Sequence, residues 1–146
     1  MQYSTGVRDA APCVRYTAGM MAYILVFFGA GVGGVLRYGV NVGCARYCGL
    51  DFPWGTLAIN IAGSLVMGLF AGYLAARASE AFMPNARLFL MTGILGGFTT
   101  FSAFSLDAVL LWERGAMGSA AFYVLGSVIL AIVGLIAGLA ISRGLT

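Results

Sequence analysis

Histidine is absent from the chain, and charged side chains make up only 9% of it. Without an imidazole there is no candidate for Ser-His or Cys-His nucleophilic chemistry, nor for a histidine-ligated catalytic metal. The shortage of charge is equally restrictive. Soluble domains carry roughly 25% charged residues, so a chain with 9% could not cover a water-facing surface. Cysteine is scarce as well. Cys13, Cys44 and Cys48 form an odd set with no further Cys or His to complete a zinc site, and read as free thiols, two of them at a helix end.

What is present is apolar. Hydrophobic residues make up 61% of the chain, and runs without any charge extend over 16–36, 52–76, 88–106 and 115–142. Each approaches or exceeds the roughly 20 residues a spanning helix needs, and barrel strands would show short alternating segments instead. The chain therefore reads as an all-α integral membrane protein of four transmembrane helices, over about 22–43, 54–76, 87–111 and 119–141. Residues 21–146 form this membrane domain. Residues 1–20, with Arg8, Asp9, Pro12 and Arg15, form a polar leader. A secretory signal would place its charges first and a short apolar stretch after them, whereas the apolar stretch here is long and rich in glycine. The leader reads equally as a disordered tail or as sequence upstream of a start at Met20 or Met21.

Glycine is abundant, at 22 residues, and recurs four apart on each span: Gly29/Gly33, Gly68/Gly72, Gly93/Gly97 and Gly134/Gly138. In lipid, helices associate through close backbone approach, which small residues permit, so these pairs read as packing faces. Gly31-Val32-Gly33-Gly34 lies inside an apolar span and lacks the preceding strand that a nucleotide fingerprint requires. The arginines do not choose an orientation. Beyond the leader, Arg77, Arg87 and Arg143 fall on one side and Arg37, Arg46 and Arg114 on the other. Positive-inside bias is thus balanced, which predicts insertion in both orientations and an antiparallel dimer.

Polar groups inside a span are costly and point to function. Thr56, Asn60 and Ser64 recur at four-residue spacing on the second span. The Asn60 amide offers two N–H donors, suited either to a small anion or to a neighbouring helix. In the third span, Gly93, Gly96, Gly97, Thr99 and Thr100 make a poor helix centre. A break there would free backbone carbonyls, which are hard ligands for a small cation and are tolerated in lipid only where protein or water covers them. Phe101 and Phe104 share a face. Their ring edges are electropositive, although ordinary packing explains two phenylalanines as well. Tyr123 and Ser127, one turn apart on the last span, either extend a polar track or anchor locally. Arg37 and Asp107 are vestibule charges or snorkelling ends.

Three segments carry a resemblance: Gly33-Gly34-Val35-Leu36-Arg37-Tyr38, Gly55-Thr56-Leu57 through Asn60 to Gly63-Ser64, and Gly93 through Phe104. In combination they resemble the Fluc (CrcB-type) fluoride channels over all four spans. The resemblance implies a channel and not an enzyme: a dual-topology antiparallel homodimer in a bacterial plasma membrane, with a broken third helix and two pores along the protomer seam. By the same resemblance the channel would confer fluoride resistance and would have no nucleic-acid partner. Fluoride would pass Asn60 and the edges of Phe101 and Phe104, with Thr56, Ser102, Tyr123 and Ser127 as polar lining and Arg37 in the vestibule. A central structural sodium ion would sit on carbonyls of Gly96 and Thr99 from both protomers. Two positions depart from the family pattern: Ala103 stands where Thr is common, and Asp107 where Glu is frequent. The competing readings are a proton-coupled small exporter, which would need a carboxylate in the first span that this chain lacks, and a non-conducting membrane scaffold.

Overall fold

The computed structural model describes residues 19–76 and 83–145, and regular structure among them is entirely helical. The leader through residue 18 and the connection 77–82, including Arg77, lie outside the described residues. Four helical stretches are long and apolar enough to cross a bilayer: Met20–Cys48, Trp54–Ala75, Pro84–Glu113 and Met117–Leu145. The chain is an all-α, multi-pass membrane protein, as the uncharged runs predict.

Helix α1 (Met20–Cys48) outlasts its expected end near residue 43 by a further turn. Nothing after Gly43 opposes the helix until Gly49, whose φ of 83° is a left-handed conformation that costs glycine little. Arg46 in the last turn also complements the helix dipole. Helix α2 (Trp54–Ala76) follows directly after Pro53.

The third span is composite. It opens with α3 (Met83–Arg87), where Pro84 in the first turn forfeits no helical hydrogen bond. The winding then widens into a π-helical segment, Leu88–Leu95, and the Gly96 N–H reaches back five residues to the Met91 carbonyl. Such segments are uncommon and frequently accompany functional sites. A single turn, α4 (Gly96–Phe98), leads into Thr99 and Thr100. These two residues are extended, with φ/ψ of −77°/157° and −154°/120°. Helix α5 (Phe101–Glu113) then begins, N-capped by the Thr100 hydroxyl, which accepts from the Ala103 N–H at 3.2 Å. Gly115 turns the chain into α6 (Met117–Leu145).

The glycine pairs sort the spans into two couples. Gly29 packs on Phe89 O and the Gly93 Cα, Gly33 on Ile94 O and Phe98 N, and Gly97 on the Ala30 backbone, so α1 lies along the first half of the third span. Gly68 meets the Leu135 carbonyl, Gly72 meets Ser142, and Gly138 meets the Leu65 carbonyl. That seam makes α2–α6 the most extensive helix pair. A methyl group would run into the partner helix's backbone at each of these contacts except Gly72, where it would meet the Ser142 side chain. Leu57, Leu111, Ala120 and Tyr123 form a buried cluster at the α1–α2 loop end, with Phe52 and Phe104 packed against it. Ile59 and Leu95 are buried as well, but many other large apolar side chains point outward, among them Phe27, Phe28, Val35, Leu125, Ile129 and Val133. An outer surface of that kind matches lipid or another apolar face.

Candidate functional site

Asn60 sits half-buried in α2, opposite the extended pair of the third span. Its Oδ1 accepts from the Thr100 N–H at 3.1 Å, and its Nδ2 donates to the Thr100 carbonyl at 3.3 Å. One side chain thus holds both polar groups of one residue, and one amide N–H of Asn60 remains beyond the Thr100 bond. The close approach depends on Gly63, one turn further along α2. A Cβ there would collide with the Thr99 methyl group and come within 3.3 Å of the Phe98 ring.

A groove of about 390 Å³ opens at this point. Asn60 and Ser64 of α2, Thr99 and Thr100, Phe101 and Phe104 of α5, and Ser127 of α6 line it, with Met67, Val128, Ala131 and Leu135 completing an apolar wall. The two phenylalanine rings lie 5.5 Å apart, tilted at 41°. Phe101 is 79% exposed on the protomer surface, whereas Phe104 is half-buried and stacks at 5.3 Å on Tyr123. Ser127 is only 4% exposed, and its hydroxyl has no hydrogen-bond partner among the described residues. Buried hydroxyls are nearly always paired, so an unpaired one on a residue that lines a groove marks a place where a polar guest is expected.

A second cavity, of about 340 Å³, lies at the α1–α2 loop end. Thr56, Asn41, Asp51, Asp107 and Arg114 line it together with Cys44. Tyr123 stands between the two cavities. It is fully buried, its hydroxyl donates to Asp107 Oδ2 at 3.3 Å, and its ring packs edge-on against Phe52 at 5.7 Å.

The residues singled out in the sequence therefore divide. Asn60, Phe101, Phe104, Ser127 and Thr99 converge on the groove. Thr56 shares a helical face with Asn60, but four residues of helix rise about 6 Å, and that step carries it into the mouth cavity. Ser102 is exposed and bonds to the Thr100 hydroxyl at 3.2 Å, outside the groove lining. Arg37 is half-buried on α1 and lines neither cavity. Gly96 is exposed at the end of the third span's first half, one turn before Thr100. Sequence reasoning passed over Asn41, whose side-chain oxygen fills the space left by Gly55. Its position one turn beyond Arg37 was the available signal. Cys44 and Cys48 are free thiols, as their spacing suggested.

The family described as CrcB-like protein, Camphor Resistance (CrcB), matches residues 24–139. The chain is 61% identical over 126 residues to the fluoride-specific ion channel FluC 2 of Nitrobacter hamburgensis, covering 86% of this chain and 100% of that protein. It is 60% identical over the same length to a fluoride-specific ion channel FluC of Rhodopseudomonas palustris, again covering 86% of this chain and all of the relative. A FluC of Methylobacterium nodulans is 60% identical over 125 residues, which is 85% of this chain and 98% of the relative.

Proposed function

The chain belongs to the CrcB-like family, and from that premise we propose that it is a passive, fluoride-selective channel of a bacterial plasma membrane that exports cytoplasmic fluoride and confers resistance to it. The observation that carries this reading is the groove itself. A spare Asn60 N–H, an unpartnered buried Ser127 hydroxyl and the Phe101/Phe104 pair meet, with Ser64, Thr99 and Thr100, around one mid-membrane space whose remaining wall is apolar. Donors and ring edges that replace a water shell suit a small, strongly hydrated anion.

Two protomers in opposite orientations would place two such grooves at their seam, each completed by the partner's apolar face. The exposed Phe101 ring fits that role. Ser102, Thr56 and Tyr123 extend the polar lining toward the mouth, and Arg37 draws anions in from the vestibule. No energy source is required. Fluoride enters cells as neutral HF from acid surroundings, ionises inside, and leaves down its electrochemical gradient.

Gly96 and Thr99 suit a structural sodium ion at the dimer centre. The Thr100 N–H that a continuous helix would give to the Gly96 carbonyl is turned to Asn60 instead. The carbonyl so released is a neutral hard oxygen, the ligand type small hard cations select. Bound there, the cation would supply positive charge that ties two interrupted spans together.

The test uses purified protein in liposomes loaded with potassium fluoride, with external fluoride followed by electrode after a potassium ionophore is added. Release of fluoride without chloride is expected. No fluoride release, or equal release of chloride, would overturn the reading.

A further inference from the structure

Asn60 does more at this site than face the groove. In an uninterrupted α-helix the Thr100 N–H would donate to the carbonyl of Gly96, four residues back. It donates instead to Asn60 Oδ1 at 3.1 Å, and the Asn60 amide returns a bond to the Thr100 carbonyl at 3.3 Å. Thr100 is only 9% exposed, and a buried N–H left without an acceptor is strongly disfavoured. Two acceptors thus compete for one donor: Asn60 Oδ1, which leaves Gly96 free, and the Gly96 carbonyl, which closes the helix.

We propose that Asn60 is the positioning residue that keeps Thr99 and Thr100 extended, and so keeps the Gly96 and Thr99 carbonyls available to a small hard cation. This inference rests on the sodium reading above. It makes one amide serve two ions of opposite sign, with its oxygen holding the cation site open and its remaining N–H facing the anion.

Other features support the extended pair without deciding it. The Thr99 hydroxyl donates to the Leu95 carbonyl at 2.9 Å, which the Thr99 N–H already reaches at 3.0 Å. The Thr100 hydroxyl caps α5. Both contacts lie within the third span. Gly63 gives the pair room but no bond. The tie from outside the span comes from Asn60, forty positions away in sequence.

The two roles reside on different atoms and are therefore separable. Asn60→Asp keeps an oxygen acceptor for the Thr100 N–H in either protonation state, but loses the amide donors. Asn60→Leu, of similar volume, loses both. The experiment measures the thermal transition of the purified full-length protein in detergent while sodium replaces N-methylglucamine, alongside fluoride efflux from liposomes. Wild type should be stabilised by sodium in a saturable way. Asn60→Asp should keep that sodium dependence yet lose fluoride efflux. Asn60→Leu should need about tenfold more sodium or show no stabilisation, because apparent affinity falls with the fraction of molecules held competent. If Asn60→Leu cannot be purified folded, Asn60→Ala serves the same comparison. An Asn60→Leu or Asn60→Ala protein that keeps the wild-type sodium midpoint would overturn the inference and leave the sodium reading intact. A wild type indifferent to sodium would overturn both.

Discussion

Ser127→Ala tests the groove by moving stability and conduction in opposite directions. The Ser127 hydroxyl is buried without a partner among the described residues. A polar group in that state costs about 1–3 kcal/mol, and alanine removes it while leaving only a hydroxyl-sized gap. The variant should therefore be as stable as wild type, or more stable by up to about 2 kcal/mol. Conduction should move the other way. A hydrogen bond to a charged partner is worth about 1.5–3 kcal/mol, and each ~1.4 kcal/mol is tenfold in rate. If the hydroxyl serves fluoride at the highest barrier, efflux should fall by about 10- to 100-fold. Denaturation in detergent and fluoride-electrode efflux from liposomes read the two quantities on one preparation. Lower stability with unchanged efflux would refute the reasoning, because it would show that Ser127 bonds structurally in the assembled protein.

Phe104→Ile keeps apolar bulk but removes the ring that stacks on Tyr123 and borders Asn60's groove; if the ring edge contributes about 1.4 kcal/mol to fluoride at the barrier, efflux should fall about tenfold, while the protein remains folded by circular dichroism. Gly138→Ala drives a methyl group into the Leu65 carbonyl across the α2–α6 seam, and should cost about 1–3 kcal/mol in unfolding assays. Asp107→Leu takes the acceptor from the buried Tyr123 hydroxyl and should destabilise by about 1–3 kcal/mol, whereas Asp107→Asn, which keeps an oxygen acceptor, should recover most of the loss. Single-cysteine variants at loop positions should be labelled by impermeant reagents from both faces of the cell, and labelling from one face only would refute dual insertion.

The spans were legible because run length and the cost of charge in lipid act on each segment alone. Uncharged runs located all four, and the missed turn at the end of α1 reflects a stop set by Gly49 and not by hydropathy. Pairing was only half legible. Glycines four apart announced faces for close approach, but their partners follow from the tertiary arrangement that sets Gly29 on Gly93 and Gly138 on Leu65. The site divides along the same line. Asn60, Phe101, Phe104 and Ser127 were visible as polar or aromatic residues at helical spacing, and they share one groove. The reciprocal bond of Asn60 to Thr100 was not visible, since it joins residues on separate spans and depends on Gly63 for room. Asn41 escaped for the same reason, its neighbour Gly55 lying on another helix.

The central claim is selective fluoride conduction, and the reversal potential of the purified protein in a planar bilayer tests it most directly. With opposed fluoride and chloride gradients across the bilayer, current should reverse at the fluoride equilibrium potential and stay there when the chloride gradient is changed. A reversal that follows chloride, or a bilayer that carries no fluoride current at all, would contradict it.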